Sequence, residues 1–150
     1  MKADYINPFL SSSITVIESL MQQKPSVGKL QVTHFEYKED DICLKIKTFG
    51  QFESELIFGF SKDVAIRMVS CMMGGAKIEQ FDEICLSAVA ELGNMISGNA
   101  STLLYNDGVM IDISPPEFVE MQNGMASAMK ALDIPLYAES IGEFHIHIMS

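Results

Sequence analysis

The feature that most constrains this chain is the stretch from residue 82 to residue 106. It contains no proline, starts at Asp82-Glu83 and runs out at Asn106-Asp107-Gly108. Acidic residues in a first turn and a glycine just past a last turn are helix start and stop signals, so the pattern predicts one long helix over 82–106. At about 100° per residue, Cys85, Ala88, Val89, Ile96 and Leu103 fall with Leu92 on one core-facing side.

The segments around this helix alternate between helix and strand periodicity. Ile6, Phe9, Leu10, Ile14, Ile17, Leu20 and Met21 recur at helical spacing, which predicts a helix over 4–22 with Pro8 in its first turn and Lys24-Pro25 beyond its end. From Leu30 to Phe60 β-branched and aromatic residues come in three runs, broken at Lys38-Glu39-Asp40-Asp41 and at Gly50-Gln51, so a three-stranded antiparallel meander is expected. Ser61 offers an N-cap and Gly74-Gly75 a stop for a helix over 62–73. A short strand over Val109–Ile113 is ended by Ser114-Pro115-Pro116, and two or three further strands follow. Residues 122–128 read as a hairpin loop. In the last strand Phe144, Ile146 and Ile148 alternate with Glu143, His145 and His147, the two-residue period of a half-buried strand.

A faint repeat links Phe49-Gly50-Gln51-Phe52-Glu53 with Ile141-Gly142-Glu143-Phe144-His145, and Asp4-x-x-Asn7 with Glu91-x-x-Asn94. It implies two helix-plus-meander halves sharing one sheet. The fold class is therefore α+β, a mostly antiparallel sheet packed against long helices. No linker divides the 150 residues, so a single domain is expected.

Charge and cysteine usage exclude several functions. Ten Lys and Arg stand against 20 Asp and Glu, and the net charge of -10 repels nucleic acid and anionic lipid. No apolar run is long enough to span a bilayer, and Lys2 followed by Asp4, Asn7 and Pro8 does not start a signal peptide. A cytoplasmic protein is expected. Cys43, Cys71 and Cys85 are scattered, without a C-x-x-C pair, and read as free core residues. Of the 11 methionines, Met68, Met72 and Met73 sit in or beside apolar helical patterns, whereas Met121, Met125 and Met129 fall in a segment without clear periodicity.

The long helix has a second side. Ser87, Glu91, Asn94 and Gly98 share one stripe, roughly 60° wide, that points away from the core. Each glycine inside a helix costs about 1 kcal/mol relative to alanine, so Gly93 and Gly98 call for a reason other than propensity. Gly98 on the polar stripe would let a partner's backbone come close, while Gly93 could serve packing within the chain. From the residues alone, Glu91 and Asn94 read more readily as simple solvated helix positions.

Ser87-Ala-Val-Ala-Glu91-Leu-Gly-Asn94, followed some twenty residues on by Pro115-Pro116, resembles the S/D-x-x-x-E-x-x-N…P signature of the CheC/CheX/FliY chemotaxis phosphatases. Ile6-Asn7-Pro8-Phe9, Ser70-Cys-Met-Met-Gly-Gly75, Asp82-Glu83 and Asp112-Ile-Ser-Pro-Pro116 extend the resemblance, which is strongest to the CheX branch. The resemblance implies hydrolysis of the aspartyl phosphate on a CheY-like response regulator. By position, Glu91 and Asn94 become the catalytic pair: Asn94 orients the attacking water with its amide, and Glu91 pairs with a regulator lysine. Ser87 and Gly98 flank the docking surface, and Pro115-Pro116 form the motif loop. The resemblance further implies a homodimer joined through sheet edges, a possible CheD-like regulator, and no cofactor or metal held by this chain, the Mg²⁺ belonging to the substrate regulator.

Two other readings belong beside this one. The same helix could bind a phosphorylated receiver domain as a non-catalytic adaptor. Alternatively, His145-x-His147 with Glu143 on one strand face could hold zinc in a metal-dependent hydrolase, although an exposed polar strand face explains the same pattern. Asn7, just ahead of Pro8, is expected to be a helix-start residue rather than part of a second site.

Overall fold

The computed structural model describes residues 3–38, 40–119 and 130–149. The expected hairpin loop at 122–128, with Met121, Met125 and Met129, lies outside them. In chain order the elements are α1 (Ala3–Met21), β1 (Ser26–Val27), β2 (Gln31–His34), β3 (Ile42–Gly50), β4 (Ser54–Phe60), α2 (Lys62–Met72), α3 (Glu83–Asn106), β5 (Ile111–Ile113), β6 (Glu117–Phe118), β7 (Lys130–Ala138) and β8 (Gly142–Met149). The strands form one antiparallel sheet ordered β1-β7-β8-β4-β3-β5, with β2 also on β7 and β6 also on β3.

All three helices pack on one face of this sheet. Leu44, Ile46, Leu56, Phe58, Phe60, Ile134, Leu136, Phe144, Ile146 and Ile148 point inward and meet Phe9 and Ile17 of α1, Val64 and Met68 of α2, and Val89, Leu92 and Ile96 of α3. Each fully buried aliphatic side chain of α3 contributes on the order of 2 kcal/mol. The helix ends follow local chemistry. Asp82 caps α3 by accepting from the Cys85 amide at 3.2 Å, and Ser61 caps α2 through the Val64 amide at 3.3 Å. Gly74 and Gly75, at φ 71° and 90°, close α2 with a bond from the Gly75 amide to Ser70 O.

The sheet departs from the expected meander. β3 and β4 form a hairpin, but β2 leaves them and pairs with β7 on the other side of the sheet. The reason lies in the side chains: β3 and β4 each carry an alternating buried row, whereas β2 is exposed along most of its length and Val32 is 72% exposed. The buried anchor of that run is Phe35, just after β2. It joins Cys43, Ile57, Ala131 and Met149 in a second, smaller cluster on the outer sheet face.

Two further expectations shift. The first helix begins at Ala3, so Asn7 and Pro8 lie inside it and Asn7 is an exposed helical residue instead of a start position. Tertiary contacts hold the turn ahead of the proline, with Tyr5 stacked on Phe52 at 5.0 Å and Ile6 buried. The strand expected at Val109–Ile113 covers Ile111–Ile113, because the Val109 amide is still bonded to Leu104 O at the end of α3. Where the repeat implied two helix-plus-meander halves, two hairpins, β3–β4 and β7–β8, share the sheet with β4 and β8 side by side. The matched glycines occupy opposite sides of their turns: Gly50 ends β3 and Gly142 opens β8, at φ 100° and 105°.

Candidate functional site

The buried side of α3 is Cys85, Val89, Leu92, Gly93, Ile96, Ser97, Ala100 and Leu104, with Leu104 in the place expected for the half-buried Leu103. Burial of that side fixes the rotation of the helix. Ser87, Glu91, Asn94 and Gly98 are all exposed on the opposite stripe, as helical periodicity predicts. Capping and packing make this stripe a rigid ridge, with Glu91 and Asn94 one turn apart and their Cβ atoms roughly 5–6 Å from each other.

The two helix glycines serve different ends. A Cβ at Gly93 would sit 3.3 Å from Pro116 Cγ and would overlap Leu44 Cδ2, so Gly93 is where the β5–β6 loop and β3 press on the helix. Around Gly98 nothing lies within 4 Å of a Cβ, and the helix backbone is open to an approaching molecule. Ser114 holds the loop from its other end: its hydroxyl accepts from the Lys47 amide and its amide donates to Lys47 O, both at 2.9 Å.

Between α3 and this loop runs a shallow groove of about 430 Å³. Asn94, Gly98 and Pro115 line it, so three of the residues singled out by sequence meet there. Ser87 and Glu91 continue the ridge beyond the groove, and Pro116 supports it from behind through Gly93. Ser97 and Asp112 also line the groove, and the buried Ser97 hydroxyl has no hydrogen-bond partner among the described residues. Neither was singled out individually. Asp112 stood in the 112–116 segment, while Ser97 carried no signal separable from the helix core.

On the far side of the sheet, the row containing His145 and His147 is not the open polar face expected. The segment following β2 folds over it, Phe35 meets the His147 ring edge-on at 5.0 Å, and the His147 side chain is only 17% exposed. Burial holds the His147 pKa below its ordinary value, against the opposing pull of Asp133. Glu143, the expected third member, stands outside at 3.9 Å from His145 Nε2, and Asp133 of β7 takes the central position. Among the described residues, no helix is long and apolar enough to cross a membrane.

Residues 42–136, which include α3, the β5–β6 loop and most of the sheet, match the family described as chemotaxis phosphatase CheX. The chain belongs to the CheX family. The CheY-P phosphatase CheX of Thermotoga maritima is 33% identical over 150 residues, spanning 99% of this chain and 96% of that relative. A CheC-like superfamily protein from Shewanella, 27% identical, superposes with a TM-score of 0.83 over 99% of this chain and 98% of its own. The CheX of a CheX–CheY–BeF₃–Mg²⁺ complex from Borrelia burgdorferi shares the fold, with a TM-score of 0.79 at 22% identity over 99% and 98% of the two chains. CheX membership makes this an α+β member of a phosphatase family of two-component signalling, with the Glu91/Asn94 ridge on its longest helix.

Proposed function

We propose that the chain hydrolyses the aspartyl phosphate of a CheY-like response regulator by inserting Asn94 beside the phosphoryl group. The observation that carries this reading is the exposed Glu91/Asn94 pair on a buried, capped helix, with the open backbone of Gly98 and the pinned Pro115-Pro116 loop beside it. An acyl phosphate is already activated, so the enzyme needs to place one water in line with phosphorus and needs no nucleophile of its own. A carboxamide can place that water, because its oxygen accepts from it, its nitrogen donates elsewhere, and it brings no negative charge toward phosphate.

In this reading Glu91 pairs with a lysine of the regulator and sets the docking angle, while Ser87 and Gly98 leave room at either end of the contact. The regulator supplies the Mg²⁺ and the lysine that neutralise the phosphoryl oxygens. The relatives favour the same substrate class, since one is a CheY-P phosphatase and another was crystallised with CheY, BeF₃ and Mg²⁺. The proposal extends to a cytoplasmic homodimer joined at sheet edges and to a possible CheD-like regulator.

The test is the decay of a phosphorylated CheY-like regulator with and without this protein. Asn94→Ala is expected to remove the stimulated rate, a fall of about 100-fold or more, while circular dichroism stays unchanged. Glu91→Ala is expected to act mainly on KM, by about ten-fold. Hydrolysis at the parental rate by Asn94→Ala would overturn the assignment. Tight binding of the phosphorylated regulator without faster decay would make the chain an adaptor.

A further inference from the structure

The outer sheet face carries a cluster that the ridge on α3 does not use. Asp133 of β7 lies directly across from His147 of β8, and His145 is two residues further along the same strand face. His145 Nδ1 is 2.7 Å and His147 Nδ1 3.7 Å from the same carboxylate oxygen, Asp133 Oδ1. The two imidazoles are nearly parallel, 8° apart with centroids at 5.7 Å, and one donor atom from each of the three residues lies within 4.8 Å of the others.

We propose that Asp133, His145 and His147 form a binding site for a borderline divalent transition ion, represented by Zn²⁺, with one position left open to solvent. Ligand bonds of about 2.0–2.1 Å in a tetrahedron put neighbouring donors roughly 3.3 Å apart. The observed 2.7 and 3.7 Å lie on either side of that spacing, and the donors of all three residues fall within 4.8 Å of one another, so side-chain rotation is the movement that would close the site around an ion. Two imidazole nitrogens and one carboxylate oxygen are a donor set that suits zinc and disfavours Mg²⁺ or Ca²⁺.

Three further observations point to an ion and not merely to a buried ion pair. His147 Nδ1 is buried, faces Asp133 and has no hydrogen-bond partner among the described residues, an orphaned acceptor that a metal would satisfy. His145 turns its other ring nitrogen, Nε2, toward the carboxylate of Glu143 at 3.9 Å, the side on which a metal-bound imidazole takes its outer hydrogen bond. Gly59, paired with His145 on β4, places no side chain over the site, and a cavity of about 230 Å³ leads to it from solvent. Thr33, Glu36, Lys38 and Asp41 also line that cavity, whose volume leaves room for water as a fourth ligand. An ion here would tie β7 to β8 beneath Phe35 and lock down the segment that follows β2.

Tag-free protein stripped with a chelator and titrated calorimetrically with ZnCl₂ tests the site. One ion per chain is expected, with a rise in thermal midpoint, and Co²⁺ in its place should give the intense visible bands of a four-coordinate centre. Asp133→Asn keeps the size of the side chain and His147→Ala removes the orphaned nitrogen. Each should weaken Zn²⁺ binding by more than about ten-fold and abolish the cobalt bands, with the far-ultraviolet circular dichroism of the parent. Absence of stoichiometric binding by the parent would overturn the proposal, as would equal affinity in Asp133→Asn or a six-coordinate cobalt spectrum. Should His147→Ala lose its fold, Asp133→Asn and the cobalt spectrum of the parent still decide the question.

Discussion

Asn94 and Glu91 are ordinary side chains placed unusually well. Neither is buried, and both are held on a helix face that cannot rotate, because Val89, Leu92 and Ile96 are clamped into the core one step away on the same helix. Cys43 shows the opposite use of environment. It is 4% exposed, and burial together with the neighbouring Asp41 pushes its thiol up to about 12, from an ordinary 9.0. The folded state therefore keeps a proton that the unfolded chain releases. The stabilisation from Cys43 is complete below pH 9.0 and is lost as pH rises toward 12. Iodoacetamide applied to the native protein at mildly alkaline pH should modify the half-buried Cys71 first, and should reach Cys43 and the buried Cys85 only when denaturant is added. Peptide mapping checks this, and native labelling of Cys43 at the rate of Cys71 would contradict the burial argument.

At the scale of elements, α3 is the part of the chain in which sequence and structure agree most closely. Its length, its acidic start at Asp82-Glu83 and the direction of its Glu91/Asn94 stripe were legible because start signals and helical periodicity are local properties, while the cap that Asp82 provides emerged with the structure. The roles of its two glycines were not. Gly93 faces Leu44 from β3 and Pro116 from the β5–β6 loop, contacts that no window on the helix itself contains. Opposite outcomes are expected from one substitution at the two sites. Gly93→Ala should cost about 1–3 kcal/mol in urea unfolding, since a methyl group has no space there. Gly98→Ala should stabilise by up to about 1 kcal/mol through helix propensity, yet slow regulator dephosphorylation by obstructing the open backbone. A stabilised Gly98→Ala with full activity would remove Gly98 from the docking surface.

On the scale of the whole molecule, the acidic balance bears on the proposed recognition of the regulator. A net charge of -10 makes the protein a poor trap for free phosphate, and in that proposal it suits docking against a basic rim on the regulator. If Glu91 and the negative net charge steer that encounter, kcat/KM for the phosphorylated regulator should fall several-fold between low salt and about 0.3 M salt, while kcat changes little. Stopped-flow decay at several ionic strengths checks it, and a kcat/KM independent of salt would leave the charge without a part in recognition.

The sequence by itself determined the helices, the alternation of the last strand and the motif that ties the chain to its family, all of them carried by spacings within one element. Only the tertiary structure decided strand partners and faces. β2 left the expected meander because its own residues bury almost nothing, so its place was set by Phe35 against a distant strand. For the same reason Asp133 was invisible beside His145-x-His147: it arrives from β7 by cross-strand register, and register is fixed by the whole sheet and not by any one strand.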